Sequence, residues 1–170
     1  YILNRGNENQ KLHYLPKMVT GELVGAIAMT EPAAGSDLQG IQTKAKKQNG
    51  GWVLNGSKTF ITNGQHADFV VTVAKTNPNV KGSSGVSLFL VDTSLKGFSR
   101  GRNLEKLGLH SSDTSELFFD EVEVPDSAIL GEVDQGFITL MTELPRERLA
   151  LAMSAVAAME YMMDITKKYV

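Results

Sequence analysis

The chain has 170 residues, of which 42% are hydrophobic and 21% charged, as in an ordinary soluble globular domain. A formal net charge of −2 argues against a protein that captures nucleic acid or an anionic membrane surface. The absence of cysteine excludes disulfides, zinc–thiolate sites and thiol nucleophiles. The three histidines lack metal-ligand spacing and no apolar run is long enough to cross a bilayer, so we expect neither a metal site nor an integral membrane segment.

The first residues predict the end of a helical region. Leu12, Leu15 and Met18 recur at helical spacing, and Pro16 is expected to interrupt the helix. The chain begins at Tyr1 without a start signal and ends in a helix-like pattern. We therefore expect an internal segment of a larger polypeptide, in which residues 1–22 close a helical domain.

From Val24 onward the hydrophobic period becomes typical of strands. Runs such as FVVTVAK and GVSLFLVD are apolar and β-branched, and Gly, Asn, Ser and Pro signals separate them. WVLNGSKTFIT predicts two short strands around a hairpin-type turn at Asn55-Gly56-Ser57. About eight short strands within residues 23–130 indicate an antiparallel β-sandwich or barrel.

Residues 131–170 predict one long helix that is unfinished at Val170. Apolar residues recur there every three or four positions, and Ala, Leu and Met dominate. Pro145 lies inside the pattern, so a kink is expected. The predicted fold class is α+β and mainly β, with the β-domain between two helical regions.

The stretch AMTEPAAGSD places hydroxyls and a small-residue turn directly after an apolar strand. Thr30 and Ser36 supply hydroxyls, and Gly35 permits close approach to a ring or a phosphate. A strand followed by a proline-containing turn has the same composition. The residues alone favour that plainer interpretation.

Four segments in order resemble the acyl-CoA dehydrogenase family. They are AMTEPAAGSDLQG (28–40), LNGSKTFITNG (54–64), GRNLEKLGLHSSDTSELFFDEVEVP (101–125) and GFITLMTELPRERL (136–149). The resemblance covers nearly the whole chain, and ELPRERL is most similar to the long-chain branch. It implies the end of an N-terminal helical domain (1–22), a middle β-domain (23–130) and the first helix of a C-terminal four-helix domain (131–170).

The resemblance also implies FAD as the cofactor. By position, the residues that would line the flavin and its phosphates are Ile27, Met29, Thr30, Gly35 and Ser36, followed by Phe60, Ile61 and Thr62. The family often has tryptophan at Phe60, and the smaller ring covers less of the flavin and lacks an N–H donor. The Thr62 hydroxyl would lie near flavin N5.

The implied reaction removes an α-proton and a β-hydride from a fatty acyl-CoA and leaves trans-2-enoyl-CoA, with long or branched acyl chains favoured. In most of the family the base lies beyond the equivalent of Val170. In the long-chain and isovaleryl branches it precedes an arginine on this helix, which corresponds here to Glu147 before Arg148. Without the resemblance, Glu143 and residues 146–148 would predict a solvated ion-pairing face.

Contacts with the substrate are implied at the same positions. They are Ser36, Ser83 and Ser84 for the CoA moiety, and Pro145, Arg146, Glu147 and Arg148 around the thioester. At Ile138 the family's long-chain members carry tyrosine, which removes one expected polar contact.

The family further implies an electron-transfer flavoprotein as electron acceptor and a homotetramer in which a neighbouring subunit completes the FAD site. The expected location is cytoplasmic in a bacterium and the mitochondrial matrix in a eukaryote. Two alternatives stay open at this point: an acyl-CoA oxidase of the same fold, and a non-catalytic binding module. Whether this segment alone holds FAD or is active is also open.

Overall fold

A computed structural model describes residues 1–80, 82 and 84–170. It divides the chain into two compact units, Tyr1–Phe137 and Ile138–Val170. The described residues form helices α1 (Ile2–Arg5), α2 (Glu8–Thr20) and α3 (Gly136–Tyr169), and strands β1 (Gly25–Ala28), β2 (Lys44–Gln48), β3 (Gly51–Thr62), β4 (Phe69–Lys75), β5 (Val86–Asp92), β6 (Phe98–Asn103) and β7 (Thr114–Pro125). Short 3₁₀ turns lie at Leu38–Gly40 and Asp126–Ala128.

The strands form one sheet in the order β1-β4-β2-β3-β7-β6, and β5 also pairs with β4. The mainly β fold class with flanking helices is confirmed. The expected antiparallel pairing holds for β2–β3, β3–β7, β4–β5 and β6–β7, whereas β4 runs parallel to β1 and to β2. The loops from β1 to β2 and from β3 to β4 carry the chain across the sheet, and strand patterns alone do not reveal such crossings.

The core of the larger unit comes from alternating inward residues of the long strands. Leu54, Val70, Phe89 and Leu117 are fully buried there. Trp52 packs edge-to-face on Phe89 with ring centroids 5.6 Å apart. This packing fixes the register of β3 against its neighbours, since a one-residue slip would expose the whole apolar face.

Helix α2 begins at a capping box and ends at a glycine. Asn7 and Gln10 exchange side-chain to backbone hydrogen bonds, and Gly21 adopts φ 77° just after the last turn. The expected interruption at Pro16 is wrong, since the helix continues through that residue to Thr20. Proline removes only one intrahelical hydrogen bond, and the helix continues past it.

Strand β3 is a single strand of 12 residues, so the expected hairpin turn at Asn55-Gly56-Ser57 is wrong. Both halves of β3 pair with β7, and the register shifts between Leu54 and Gly56. Gly56 has φ 153°, and a Cβ there would lie 2.7 Å from the Thr43 Cα. Asn55-Gly56 therefore allows close packing against Thr43 and a local shift in strand pairing. It does not reverse the chain.

Helix α3 starts at Gly136 and continues through Pro145 to Tyr169. By length and composition alone it is long and apolar enough to cross a membrane, a property that core helices of soluble proteins share. It carries Glu160 and Asp164, and carboxylates are costly at the centre of a bilayer. Length and composition thus disagree with the expectation that no apolar run could cross a bilayer, and the two carboxylates favour that expectation.

Candidate active site

A β-bulge near the end of β3 orients the second predicted flavin segment. Lys58 and Ile61 are three residues apart, whereas their partners on β7 are only two apart. Phe60 lies in the bulge with φ 58°. This left-handed conformation is uncommon for a bulky side chain. Without the bulge, strict alternation would place Phe60 and Thr62 on the same face as the buried Lys58. With it, Phe60 is 68% exposed and Ile61 is 2% exposed.

Phe60 and Thr62 therefore project together from the outward face, and Ile61 packs in the core. Any contact of Ile61 with a cofactor on that face has to come from its main chain. A bulge that redirects a side chain and holds it in a strained conformation is a common feature of functional sites.

The first predicted segment lies directly beside the bulge. The Thr59 N–H donates to the Thr30 carbonyl oxygen over 2.9 Å. The Lys58 ammonium donates to the Met29 carbonyl oxygen over 3.1 Å. Residues 29–30 and 58–59, distant in sequence, are thus joined by two hydrogen bonds.

After Thr30 the chain reverses in a tight turn. The Glu31 N–H donates to the Ala34 carbonyl at 2.9 Å, and the Ala34 N–H donates back to the Glu31 carbonyl at 3.1 Å. This closed turn presents Gly35 and Ser36 to solvent. A Cβ added at Gly35 would meet no atom within 4 Å, so the backbone there is open to a ligand.

The donor set fits a cofactor with a polar ring edge and phosphates. Among the described residues, the hydroxyls of Thr30, Ser36 and Thr62 make no hydrogen bond. In the same part of the chain, the backbone N–H groups of Gly35 and Ser36 also have no intramolecular acceptor. Free hydroxyls and turn N–H groups are the donors that bind phosphates and carbonyl oxygens.

Ile27 and Thr62 share a cavity of about 390 Å³. Apolar side chains of α1 and α2 complete its wall, with Phe69 from β4. Ile27 is paired with Val71 through the parallel register of β1 and β4. The predicted flavin contacts Ile27 and Thr62 therefore line the same cavity as apolar side chains of the two N-terminal helices.

A buried ion pair that the sequence reasoning did not identify connects the two segments. The Lys58 Nζ lies 2.8 Å from the Glu31 Oε1, and the two side chains are 0% and 4% exposed. Burial lowers the pKa of Lys58 from its ordinary value of 10.5 to about 8, and the Glu31 carboxylate opposes that change. Burial by itself would raise the pKa of Glu31, but the Lys58 charge and its hydrogen bond hold that pKa below its usual range.

One signal for this pair was present in the sequence. Alternation from the buried Leu54 through Gly56 places Lys58 on the inward face of β3. An inward lysine requires a carboxylate partner. The identity of that partner was not readable, since 27 positions separate it from Lys58.

The turn after Thr62 is also held by residues that the sequence analysis assigned no role. The Asp113 Oδ2 accepts the Gln65 N–H at 2.7 Å. Arg100 donates from Nε to the Gly64 carbonyl at 3.0 Å and from Nη2 to the Ala67 carbonyl at 2.7 Å. These bonds fix the backbone immediately after the exposed Thr62.

The predicted CoA contacts are placed in part. Ser84 is exposed in the loop between β4 and β5, and Ser83 lies outside the described residues. A Cβ on Gly82 would lie 3.0 Å from the Gln39 side-chain oxygen, so this loop approaches the 3₁₀ turn that follows Ser36. The Ser36 and Ser84 segments are thus neighbours.

The remaining predicted residues belong to α3. Pro145, Arg146, Glu147 and Arg148 occupy consecutive positions and are all exposed. Ile138, 60% exposed, precedes Pro145 by two turns and lies on the same helix face. Glu143, one turn before Glu147, is 8% exposed.

Comparison with known proteins gives one consistent result. Residues 26–122 match the family model described as acyl-CoA dehydrogenase, middle domain. The mitochondrial long-chain specific acyl-CoA dehydrogenase of Sus scrofa is 54% identical over the whole chain, which spans 40% of that relative. The mitochondrial isovaleryl-CoA dehydrogenase of Solanum tuberosum is 43% identical over 99% of the chain and 41% of its own length. The crystal structure of an acyl-CoA dehydrogenase from Geobacillus kaustophilus matches with a TM-score of 0.98 and 53% identity, over 100% of this chain and 45% of that one.

Proposed function

The chain belongs to the acyl-CoA dehydrogenase family, and from that premise we propose that it forms the cofactor-binding part of an FAD-dependent acyl-CoA dehydrogenase. The proposed reaction converts a long-chain or branched fatty acyl-CoA to trans-2-enoyl-CoA in fatty-acid β-oxidation. The chain spans 40% of the length of its long-chain relatives, so the activity is proposed for the intact protein.

The observation that carries the proposal is the bulge at Phe60. It directs Phe60 and Thr62 outward beside Thr30, in a region where three hydroxyls have no acceptor or donor among the described residues. An aromatic face next to free donors suits a flat heteroaromatic ring with polar edges. A strand that served only the core would need neither the strained residue nor the exposed ring.

Eight residues of this chain would hold the cofactor. Ile27, Met29 and Phe60 supply apolar contact, Ile61 its main chain, and Thr30, Gly35, Ser36 and Thr62 the donors. When bound, FAD supplies the acceptor for the hydride that leaves the substrate β-carbon. The rest of the chemistry falls to side chains that bind the acyl-CoA, orient it and accept its α-proton.

Glu147 is the proposed base. Its carboxylate takes the α-proton as the β-hydride departs, and the two remaining electrons form the new carbon–carbon double bond. Arg146 and Arg148 flank it, and Pro145 precedes it on the same turn. Ser36, Ser84 and Ser83 would bind the CoA moiety, and Ile138 would face the substrate two turns earlier on α3.

The class of acyl group is proposed from the similarity of this chain to its relatives. ELPRERL resembles the long-chain branch, and a long-chain relative is 54% identical. An isovaleryl-CoA relative is 43% identical, which keeps branched chains within the proposal. We further propose an electron-transfer flavoprotein as acceptor and a homotetramer, in the mitochondrial matrix of a eukaryote or the cytoplasm of a bacterium.

The test is the visible spectrum of the intact protein, with and without acyl-CoA thioesters. We expect a flavin spectrum that bleaches anaerobically with long-chain or branched acyl-CoA and recovers with an electron-transfer flavoprotein. A flavin-free protein would overturn the FAD site. Rapid recovery in air would instead assign an oxidase, and absence of bleaching with every acyl-CoA would leave only a binding role.

A further inference from the structure

The ion pair between Glu31 and Lys58 lies where the two predicted flavin segments enter the interior. Glu31 directly follows Thr30, and Lys58 directly precedes the Thr59–Phe60 bulge. Both side chains are almost fully buried. Removing two charges from water is costly, and an apolar pair of similar volume often gives equal or greater stability. Stability alone is therefore a weak reason for a buried charge pair at this position.

The pair is bonded to more of the main chain than charge neutralisation requires. The Lys58 Nζ donates to the Met29 carbonyl at 3.1 Å as well as to Glu31. The Glu31 carboxylate accepts the Gln42 N–H at 2.6 Å and the Thr43 N–H at 3.0 Å. These bonds fix the end of β1, the bulge in β3 and the entry to β2 relative to one another.

Hydrogen bonds and the ion pair together set the distance between Thr30 and the bulge in β3. Thr30 is held to the bulge by one backbone hydrogen bond, from the Thr59 N–H. The Glu31–Lys58 pair adds a second, charge-assisted connection next to it, and charge-assisted bonds are shorter and stronger than neutral ones. Two adjacent connections prevent the turn 31–34 from rotating about the first.

We propose that Glu31 and Lys58 are positioning residues that fix the separation between Thr30 and the Phe60–Thr62 segment, and thereby the seat of the flavin ring. This inference rests on the proposed FAD site. Neither residue contacts the reacting atoms, and both act through the main chain of the residues that do.

The experiment uses the intact protein with four variants of the pair and one control variant. Glu31→Gln and Lys58→Met each leave one buried charge unpaired, and Glu31→Gln/Lys58→Met leaves none. Glu31→Asp keeps the charge and shortens the arm by one methylene. Lys47→Met is the matched control, since Lys47 lies on the neighbouring strand β2 and forms an exposed ion pair with Asp126.

Three quantities are measured: the thermal midpoint, the visible flavin spectrum, and the rate of anaerobic bleaching by a long-chain acyl-CoA. Glu31→Gln and Lys58→Met are each expected to lower the thermal midpoint and the FAD content. The double variant is expected to regain most of the midpoint while bleaching stays slower by about 10²-fold, the typical cost of a small misplacement. Glu31→Asp should fold and show a shifted spectrum with slower bleaching, and Lys47→Met should match the wild type.

A double variant that recovered the spectrum and the bleaching rate together with the midpoint would overturn the inference, because the pair would then serve stability alone. Wild-type behaviour of Glu31→Asp would overturn it as well, and that variant decides the question if the double variant does not fold. If the wild type holds FAD and all variants match it, only this inference fails. A wild type without flavin would overturn the FAD site and this inference with it.

Discussion

Replacing Phe60 by glycine or by alanine separates the strain of the bulge from its function. Phe60 has φ 58°, a conformation in which a Cβ costs roughly 1–2 kcal/mol. Glycine has no such penalty, but its unfolded chain is more flexible by roughly 0.5–1 kcal/mol. At this position Phe60→Gly is therefore expected to be more stable than Phe60→Ala by about 0.5–1 kcal/mol, the reverse of the usual order in a strand.

The ring itself contributes little to the fold. Phe60 is 68% exposed, so about 65 Å² of its side chain is buried, worth at most about 1.5 kcal/mol. Both variants lose that contribution and the proposed flavin contact equally. The difference between them therefore isolates the backbone, and both should hold FAD more weakly than the wild type.

The assay is urea unfolding of the intact protein, with FAD content measured in parallel. Lys46, an exposed position of β2 with ordinary φ, provides the control pair, for which alanine should be more stable than glycine. An alanine variant more stable than the glycine variant at Phe60 would refute the strained bulge. Unchanged FAD affinity in both would refute the proposed ring contact.

Three further predictions concern the base, the flavin hydroxyl and pH. Glu147→Gln should bind acyl-CoA but bleach the flavin about 10⁴-fold more slowly, the upper end for a lost general base. Glu160→Gln, an exposed change on another face of α3, should bleach normally, and normal bleaching by Glu147→Gln would exclude that residue as the base. Thr62→Ala should weaken FAD retention by about 1–3 kcal/mol, and unchanged FAD content with an unchanged reduction rate would contradict its placement. Burial lowers the pKa of Lys58 from its ordinary value of 10.5 to about 8 in the folded chain, so the unfolded state binds more protons between those values. The unfolding free energy of the wild type relative to Lys58→Met should therefore rise by about 1 kcal/mol from pH 7 to pH 9 in urea titrations, and a fall would contradict the lowered pKa.

The sequence predicted the elements of the fold better than their connections. The apolar runs at Phe69–Lys75 and Val86–Asp92 are strands as expected, because period and β-branching are local properties. The parallel pairing of β1 with β4 was missed, since it depends on residues more than forty positions apart. Asn55-Gly56 was read as a turn, but the Asn55 side chain instead bonds to Glu121 across the strands.

The candidate site divides in the same way. The hydroxyl-bearing loop was visible in AMTEPAAGSD, and the resemblance that assigned it to a family is confirmed. The bulge was not predictable, because alternation through TFIT looks regular until the partner strand is known. The pairing of Lys58 with Glu31 was likewise missed, since alternation places the lysine inward but 27 positions separate it from its partner.

The exposed surface of α3 connects the proposed base to the rest of the expected helical domain. Every residue from 145 to 170 is exposed, including large apolar side chains such as Leu151, Met159 and Met162. A continuous apolar surface of this kind needs another element to cover it. A carboxylate that takes a proton from carbon must in turn be shielded from water, which both raises its basicity and protects the reaction. Glu147 lies on the same helix, so whatever covers the apolar residues also controls the water around the carboxylate. Since the chain spans 40% of its long-chain relatives and α3 is expected to be the first helix of a four-helix domain, the proposed base depends on the rest of that domain, and a protein in which α3 stayed solvated would be a poor catalyst even with Glu147 in place.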